Sequence, residues 1–558
     1  AVLLATGVAD NVASGAVVRV LPGARGLDSL RRDTERPLTI LTGIVGIVLL
    51  MACVNVAGLL LARGVARQSE LALKRALGSS RFRLVRELLL ESLLLAVGGG
   101  IAGVLVAIAA SSIVTSMLTD GLGARGVGVS LDWRLLATTA ALSCLAGLLC
   151  GCLPAFRFSR QDDAAFLKAR TAGAGSARLR TGRVLLALQL AVSLPLVIGA
   201  GLFLRTLNNL THVDLGFNPS GLALFALDPT MNGRQPERAG VVFPQLLERL
   251  EALPGVTSAT LIENALISGI MSNTTVTIDG QKCPMYLNGV GPKYFETFGV
   301  RLISGRAFGP QDRAGSPPVV ILNDAAARKY FAGQSPLGRF VRWGSREVEV
   351  VGVVSDSKYD GLRNDIEPTL FHPYEQSTGA GMHVVVRASV PPGTLRASIV
   401  KAVADVDPSL PVVDFKSQTD QISQMVGKER TFAGLLTFFG AFALLLACLG
   451  LHGVTSYSVT RRTSEIGIRL ALGARRGQVL WLILRQVFLL AITGLAIGIP
   501  IAWLAGPIVR SFLFGLSPTD PLTIVVASAV LLLVALGAGF LPARRAARLN
   551  ALAALRID

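Results

Sequence analysis

Two segments of the chain carry matching acidic, basic and glycine residues at the same spacing. One holds Glu70, Lys74, Gly78 and Arg81, and the other holds Glu465, Arg469, Gly473 and Arg476, at a constant offset of 395. Ala76-Leu77 and Ala471-Leu472 precede the two glycines. A carboxylate and a cation four residues apart share a helix face, and a glycine just past the last turn can end that helix in a left-handed conformation. Glu70, Lys74 and Arg81 fall at helical spacing with Leu71 and Leu77, which predicts a short amphipathic helix that Gly78 could terminate. Such a helix can lie on anionic lipid through its cations, or it can dock onto a partner protein. Lipid attraction requires only positive charge, so the return of the same Glu and Gly favours docking.

Residues for covalent or metal chemistry are scarce. Gly121, Gly123 and Gly126 fit a G-x-G-x-x-G pattern. They follow an apolar segment rather than a strand, so the pattern reads as a loop and not as a phosphate cradle. The Gly427-Lys428 pair has Ile422 where a P-loop needs its first glycine, so no ATP-binding motif of that kind is present. His212, His372, His383 and His452 show no metal-ligand spacing. The chain therefore reads as a non-enzyme, with no catalytic residues, no metal site and no cofactor of its own.

The elements that must position the repeated loops are apolar. Of 558 residues 51% are hydrophobic and 16% charged, and the mean hydropathy is +0.56. Soluble domains carry about 25% charged residues. Seven segments are long enough to cross about 30 Å of hydrocarbon: residues 38–61, 88–117, 135–155, 184–204, 432–457, 479–504 and 522–541. A mostly polar region separates the fourth from the fifth. The net charge of +18 invites a nucleic-acid reading, but its distribution removes it. Segments 63–87, 157–183, 461–477 and 544–558 together hold 23 basic and 6 acidic residues, whereas 206–428 holds 20 and 21. By the positive-inside rule the four short segments are cytoplasmic, as is the C-terminus, and the large region lies outside. Cys283 is the one cysteine in that region, so no internal disulfide is available there.

The repeat extends beyond the loops. Leu153-Pro154-Ala155 before Arg157 matches Leu541-Pro542-Ala543 before Arg545. The first three and last three segments thus form one three-helix unit used twice in the same orientation, and Gly147/Gly151 and Gly494/Gly498 permit close helix packing. By symmetry a further helix and outer domain are expected before the first unit, with residues 1–36 their remnant. In the outer region strands are predicted at 222–228, 256–262, 319–322, 347–354 and 383–386, and helices at 236–252, 395–406 and 418–426. This pattern describes a strand–helix–strand lobe, about 218–268 and 377–428, interrupted by a more β-rich lobe at about 269–376. The fold class is an α-helical integral membrane protein with a large two-lobed α/β extracytoplasmic domain.

These loops and their Pro-Ala endings resemble the MacB/FtsX-type ABC transporter permeases, and more closely the duplicated, acidobacterial-type members. The most specific stretches are 462–476, 514–520 and 541–556. Pro292-Lys293-Tyr294-Phe295, Gly305-Arg306, 350–356 and Tyr359-Asp360-Gly361 are similar to that family's outer domain. The resemblance divides the chain into a remnant of a first periplasmic domain (1–36), an FtsX-like unit (37–157), a basic linker (158–183), a single helix (184–205), a MacB-like periplasmic core domain (206–428), a second FtsX-like unit (429–545) and a tail (546–558). It implies that Glu70, Lys74, Gly78, Arg81 and Glu465, Arg469, Gly473, Arg476 contact a separate MacB-like cytoplasmic ATPase that binds the ATP. It further implies residence in a bacterial inner membrane, export or extrusion by transmitted motion, and room for a periplasmic adaptor, with no nucleic acid as partner. An alternative within the same family is an FtsX-like signalling scaffold that regulates an envelope enzyme.

Overall fold

The computed structural model describes residues 28–66, 79, 81–122, 137–138, 141, 174–229, 239–376 and 381–548. Three long helices come first: α1 (Asp28–Ala66), α2 (Arg81–Leu122) and α3 (Ala174–Thr211). In lipid a helix satisfies all its own backbone hydrogen bonds, which is why such apolar runs take this form. Five stretches among the described residues are long and apolar enough to span a membrane: Thr39–Gly58, Gly182–Thr211, Gly427–Thr460, Arg476–Phe512 and Pro521–Ala547. They overlie five of the predicted segments. The segment predicted at 88–117 falls in α2, which shows a shorter apolar stretch, Ala96–Ala109. The segment predicted at 135–155 lies almost wholly outside the described residues. One expectation is corrected here: the glycine pattern begins inside α2 at Gly121 rather than in a loop, while Gly123 and Gly126 lie outside the described residues.

After α3 the chain builds a continuous 11-stranded sheet in two lobes. The first lobe opens with β1 (Leu222–Leu227), α4 (Ala239–Glu251) and β2 (Val256–Ile262). The second contains β3 (Ser272–Ile278), β4 (Gln281–Val290), α5 (Tyr294–Phe298), β5 (Leu302–Gly305) and β6 (Val319–Asn323). It continues with α6 (Asp324–Tyr330), β7 (Phe340–Trp343), β8 (Arg346–Val354) and β9 (Thr369–Pro373). The chain then returns to the first lobe as β10 (Met382–Ala388), α7 (Arg396–Val406), β11 (Val413–Ser417) and α8 (Gln418–Met425).

In the first lobe the strand order is β11-β1-β10-β2, antiparallel throughout, the split β-α-β arrangement of a ferredoxin-like unit. Phe243 and Leu246 of α4 and Ile399 of α7 seal one face of it. In the second lobe β3, β4, β9, β6, β8 and β7 pair around a closed ring. Closure removes free strand edges, and Val276, Met285, Leu322, Val350 and Leu370 pack inside. Cys283 is buried there as a free thiol.

The last four helices are α9 (Gly427–Arg461), α10 (Thr463–Ala471), α11 (Arg476–Val509) and α12 (Pro521–Ala547). Helix α3 is the bundle's centre, with Leu190, Ala191 and Leu194 almost fully buried. The Gly494/Gly498 pair serves that packing. A Cβ at Gly494 would sit 2.7 Å from Leu190 Cβ, and one at Gly498 would sit 2.8 Å from the Ala191 carbonyl oxygen. Helix α1 joins α9 through Asn55, whose Nδ2 donates to the Leu446 carbonyl at 2.6 Å. Trp481 and Trp503 stand exposed on α11, 22 residues apart. At 1.5 Å per residue that is about 33 Å, the spacing of two interfacial aromatic belts.

Candidate functional site

The second repeated loop lies at the end of the bundle remote from the sheet. Helix α10 has two faces. Ile466 and Leu470 turn inward onto Val479 and Ile483 of α11 and Ala543 and Ala546 of α12. Glu465, Ile468, Arg469 and Leu472 face outward, with Leu472 83% exposed. Arg469 donates to Glu465 in an i,i+4 ion pair of 2.7 Å. The helix ends in a Schellman motif: Gly473 N–H donates to the Leu470 carbonyl at 3.1 Å and Ala474 N–H to the Arg469 carbonyl at 2.9 Å. Gly473 has φ +93°, the left-handed value that a glycine adopts without strain. The Arg475 N–H donates to Gln478 Oε1 at 3.0 Å, and Arg476 opens α11.

Glu465 and Arg469 are therefore brought together, Gly473 makes the turn and Arg476 starts the next helix. In the first copy Glu70, Lys74 and Gly78 lie outside the described residues, while Arg81 opens α2 as Arg476 opens α11. Ile468 was not singled out from the sequence, although its four-residue spacing from Leu472 beside the charge pair is a readable signal. Leu73 and Leu77 hold the corresponding positions of the first copy.

A second junction joins the sheet to the membrane helices. Tyr359 anchors its loop by donating its hydroxyl to the Leu287 carbonyl at 2.7 Å, and Leu362 is buried in the core beneath. Arg363, the next residue, reaches the helices. Its Nη2 donates to the Phe512 carbonyl at 2.9 Å and its Nη1 to that of Leu513 at 3.4 Å. Its Nε reaches Glu429 Oε1, at the start of α9, at 3.2 Å. Nearby, Arg205 of α3 pairs with Asp520, which caps α12 by accepting from Thr523 N–H at 2.8 Å. The Thr523 hydroxyl and then its N–H, with Arg205, hold the Asp520 carboxyl below the usual carboxylate range despite partial burial. Sequence reasoning could not find Arg363, whose partners lie 66 to 150 positions away.

At the seam of the lobes, His372 Nε2 lies 3.8 Å from Glu263 Oε2, and His383 Nδ1 lies 3.1 Å from the Glu263 carbonyl oxygen. Burial holds both imidazoles below their ordinary pKa. Among the described residues, no group of three or more His, Cys, Asp and Glu is placed to hold a metal.

Comparison with known proteins accords with this architecture. The model of the FtsX-like permease C-terminal region matches residues 42–162 and again 437–551, and that of the MacB-like periplasmic core domain matches 190–406. The macrolide export ATP-binding/permease protein MacB of Sodalis glossinidius is 33% identical over 282 residues, 48% of this chain and 43% of that protein. MacB of Neisseria gonorrhoeae is 29% identical over 51% of this chain and 46% of its own. SyfD of Pseudomonas syringae pv. tomato, named as a probable syringafactin export ATP-binding/permease protein, is 29% identical, over 57% of this chain and 48% of its own. This chain thus spans just under half the length of these relatives. The periplasmic region of MacB from Actinobacillus actinomycetemcomitans aligns at 19% identity and a TM-score of 0.27, over 38% of this chain and 94% of that one. Two FtsX-like segments flanking a MacB-like core domain place the chain in the family of MacB/FtsX-type ABC transporter permeases.

Proposed function

We propose that the chain is a permease subunit whose outward face on α10 docks a separate cytoplasmic ABC ATPase. The carrying observation is that face itself. Ile468 and Leu472 stand in water beside the Glu465–Arg469 pair, on a helix pinned from behind by Ile466 and capped at Gly473. An exposed apolar pair with a charged border is what a partner can bury, and rigid backing lets a push on α10 pass to α11 and α12. In this reading the three-helix unit occurs twice, the chain crosses the membrane seven times, and Glu70, Lys74, Gly78 and Arg81 form the equivalent contact in the first unit. ATP belongs to the partner. The basic segments face the cytoplasm, and motion travels along the helices to Arg363 and the outer domain. Export is the proposed direction, since relatives are named for export of macrolides and of syringafactin.

The test is co-purification with a MacB-like ATPase. Glu465→Lys combined with Gly473→Pro should abolish capture of the ATPase and its stimulation by the permease. Undiminished binding by the double variant would sink the docking role.

A further inference from the structure

We propose that the basic end of the bundle contains a discrete site for the phosphate headgroup of an anionic phospholipid, held by Arg183 of α3 and Arg462 between α9 and α10. Both arginines line one cavity of about 270 Å³. Two arginines on one cavity carry like charges that an anion bound there would neutralise. Glu465 also contributes to the rim of the cavity, but its carboxylate is on the outward face, paired with Arg469 at 2.7 Å. Among the described residues neither Arg183 nor Arg462 has an ion-pair partner. Ser458 and Gln486, both able to donate hydrogen bonds, line the same cavity. A phosphodiester presents two charged oxygens, the geometry that an arginine fork binds in bidentate fashion.

Depth and surroundings select a lipid over a soluble phosphate. Arg183 lies at the start of the apolar stretch Gly182–Thr211 and Arg462 just past the end of Gly427–Thr460, so the cavity lies at the interfacial belt where headgroups reside. Leu186 and Leu490 line its apolar flank, where acyl chains continue into the hydrocarbon. Basic pockets between membrane helices on the cytoplasmic side are suited to anionic headgroups. Ile466 of α10 belongs to the same wall, so a bound headgroup would brace the outward-facing helix from behind. The proposal rests on the membrane-spanning reading and on this cavity; it does not require α10 to meet an ATPase.

The experiment is native mass spectrometry of the full chain purified from nanodiscs of mixed phosphatidylglycerol and phosphatidylethanolamine. The wild-type chain should retain phosphatidylglycerol selectively. Arg183→Gln combined with Arg462→Gln should retain about tenfold less. Arg544→Gln combined with Arg545→Gln removes the same charge outside the cavity and should retain as much as wild type. Ser458→Phe, which fills the space while keeping both arginines, should lose the lipid as well and covers the case in which the first variant does not fold. Equal retention by the two double-arginine variants, or full retention by Ser458→Phe, overturns the proposal. So does equal retention of phosphatidylethanolamine. Displacement of the lipid by millimolar inorganic phosphate would assign the cavity to a soluble anion and overturn it too.

Discussion

The protonation of His372 and the backbone of Gly473 are both set by their place in the fold. Burial comes first for His372, and it outweighs the favourable pull of the Pro373 carbonyl and Glu263 on its charged form. Its imidazole is therefore neutral in the fold below the pH at which it would ordinarily take a proton, 6.5. The unfolded chain accepts that proton first, so stability is complete above this value and falls as the pH drops beneath it. His383 adds to the effect in the same direction. Thermal unfolding of the full chain should show a lower midpoint at about pH 5.5 than at about pH 7.5, with His372→Gln flattening the difference. Identical pH slopes in the two proteins would contradict this assignment. Gly473 is constrained by backbone instead: its φ of +93° costs any side chain about 1–2 kcal/mol. That cost accounts for the glycine at this position.

Helix α11 owes its position to two missing side chains. Gly494 and Gly498 let it approach α3 until backbone and Cβ atoms touch, which in lipid replaces the hydrophobic effect as the source of helix affinity. Gly498→Leu should force the helices apart and destabilise the bundle by about 1–3 kcal/mol, read as a lowered unfolding midpoint in detergent. Gly537→Leu on α12 meets nothing within 4 Å and should be close to neutral, so equal losses in both variants would mean the contact is unimportant. Among the strands, β2 coincides with its predicted bounds, and β6, β8 and β10 exceed theirs by one to three residues. These are the β-branched, buried strands, whose pattern is local. Strands β3, β4, β5, β7, β9 and β11 were not predicted, because half-polar strands such as Ser272–Ile278 take their stability from neighbours. One cue was present: Asp279-Gly280, with φ of +49° and +82°, makes the tight turn of the β3–β4 hairpin.

At the scale of the molecule, Arg363 makes the tie between the sheet and the helices. It spans Glu429 on α9 and the carbonyls at the end of the 3-10 turn Arg510–Phe512 that follows α11. Phe514 just beyond packs against the core of the outer domain while Leu513 joins that of the bundle. Arg363→Gln leaves Glu429 without its guanidinium partner and removes charge-assisted bonds worth about 1.5–3 kcal/mol each. Both domains should stay folded while their relative position loosens. Spin labels at Val400 and Leu522 on a cysteine-free background should report a broadened distance distribution in the variant. An unchanged width would show that the domains are fixed by other contacts.

Local physics made much of this protein readable from its residues alone. Apolar length located the five helices that, among the described residues, are long and apolar enough to cross a bilayer, because twenty apolar residues have no other stable form in lipid. The charge of the short segments and the recurrence of Glu, Gly and Arg at one offset picked out α10 before any contact was known. What only the tertiary structure decided is which residues meet across long separations. The closed ring of the second lobe, the Arg363 tie and the Arg183–Arg462 cavity each join residues dozens to hundreds of positions apart. Such contacts leave no periodicity in the sequence, since their energy depends on geometry that exists only once the chain has folded.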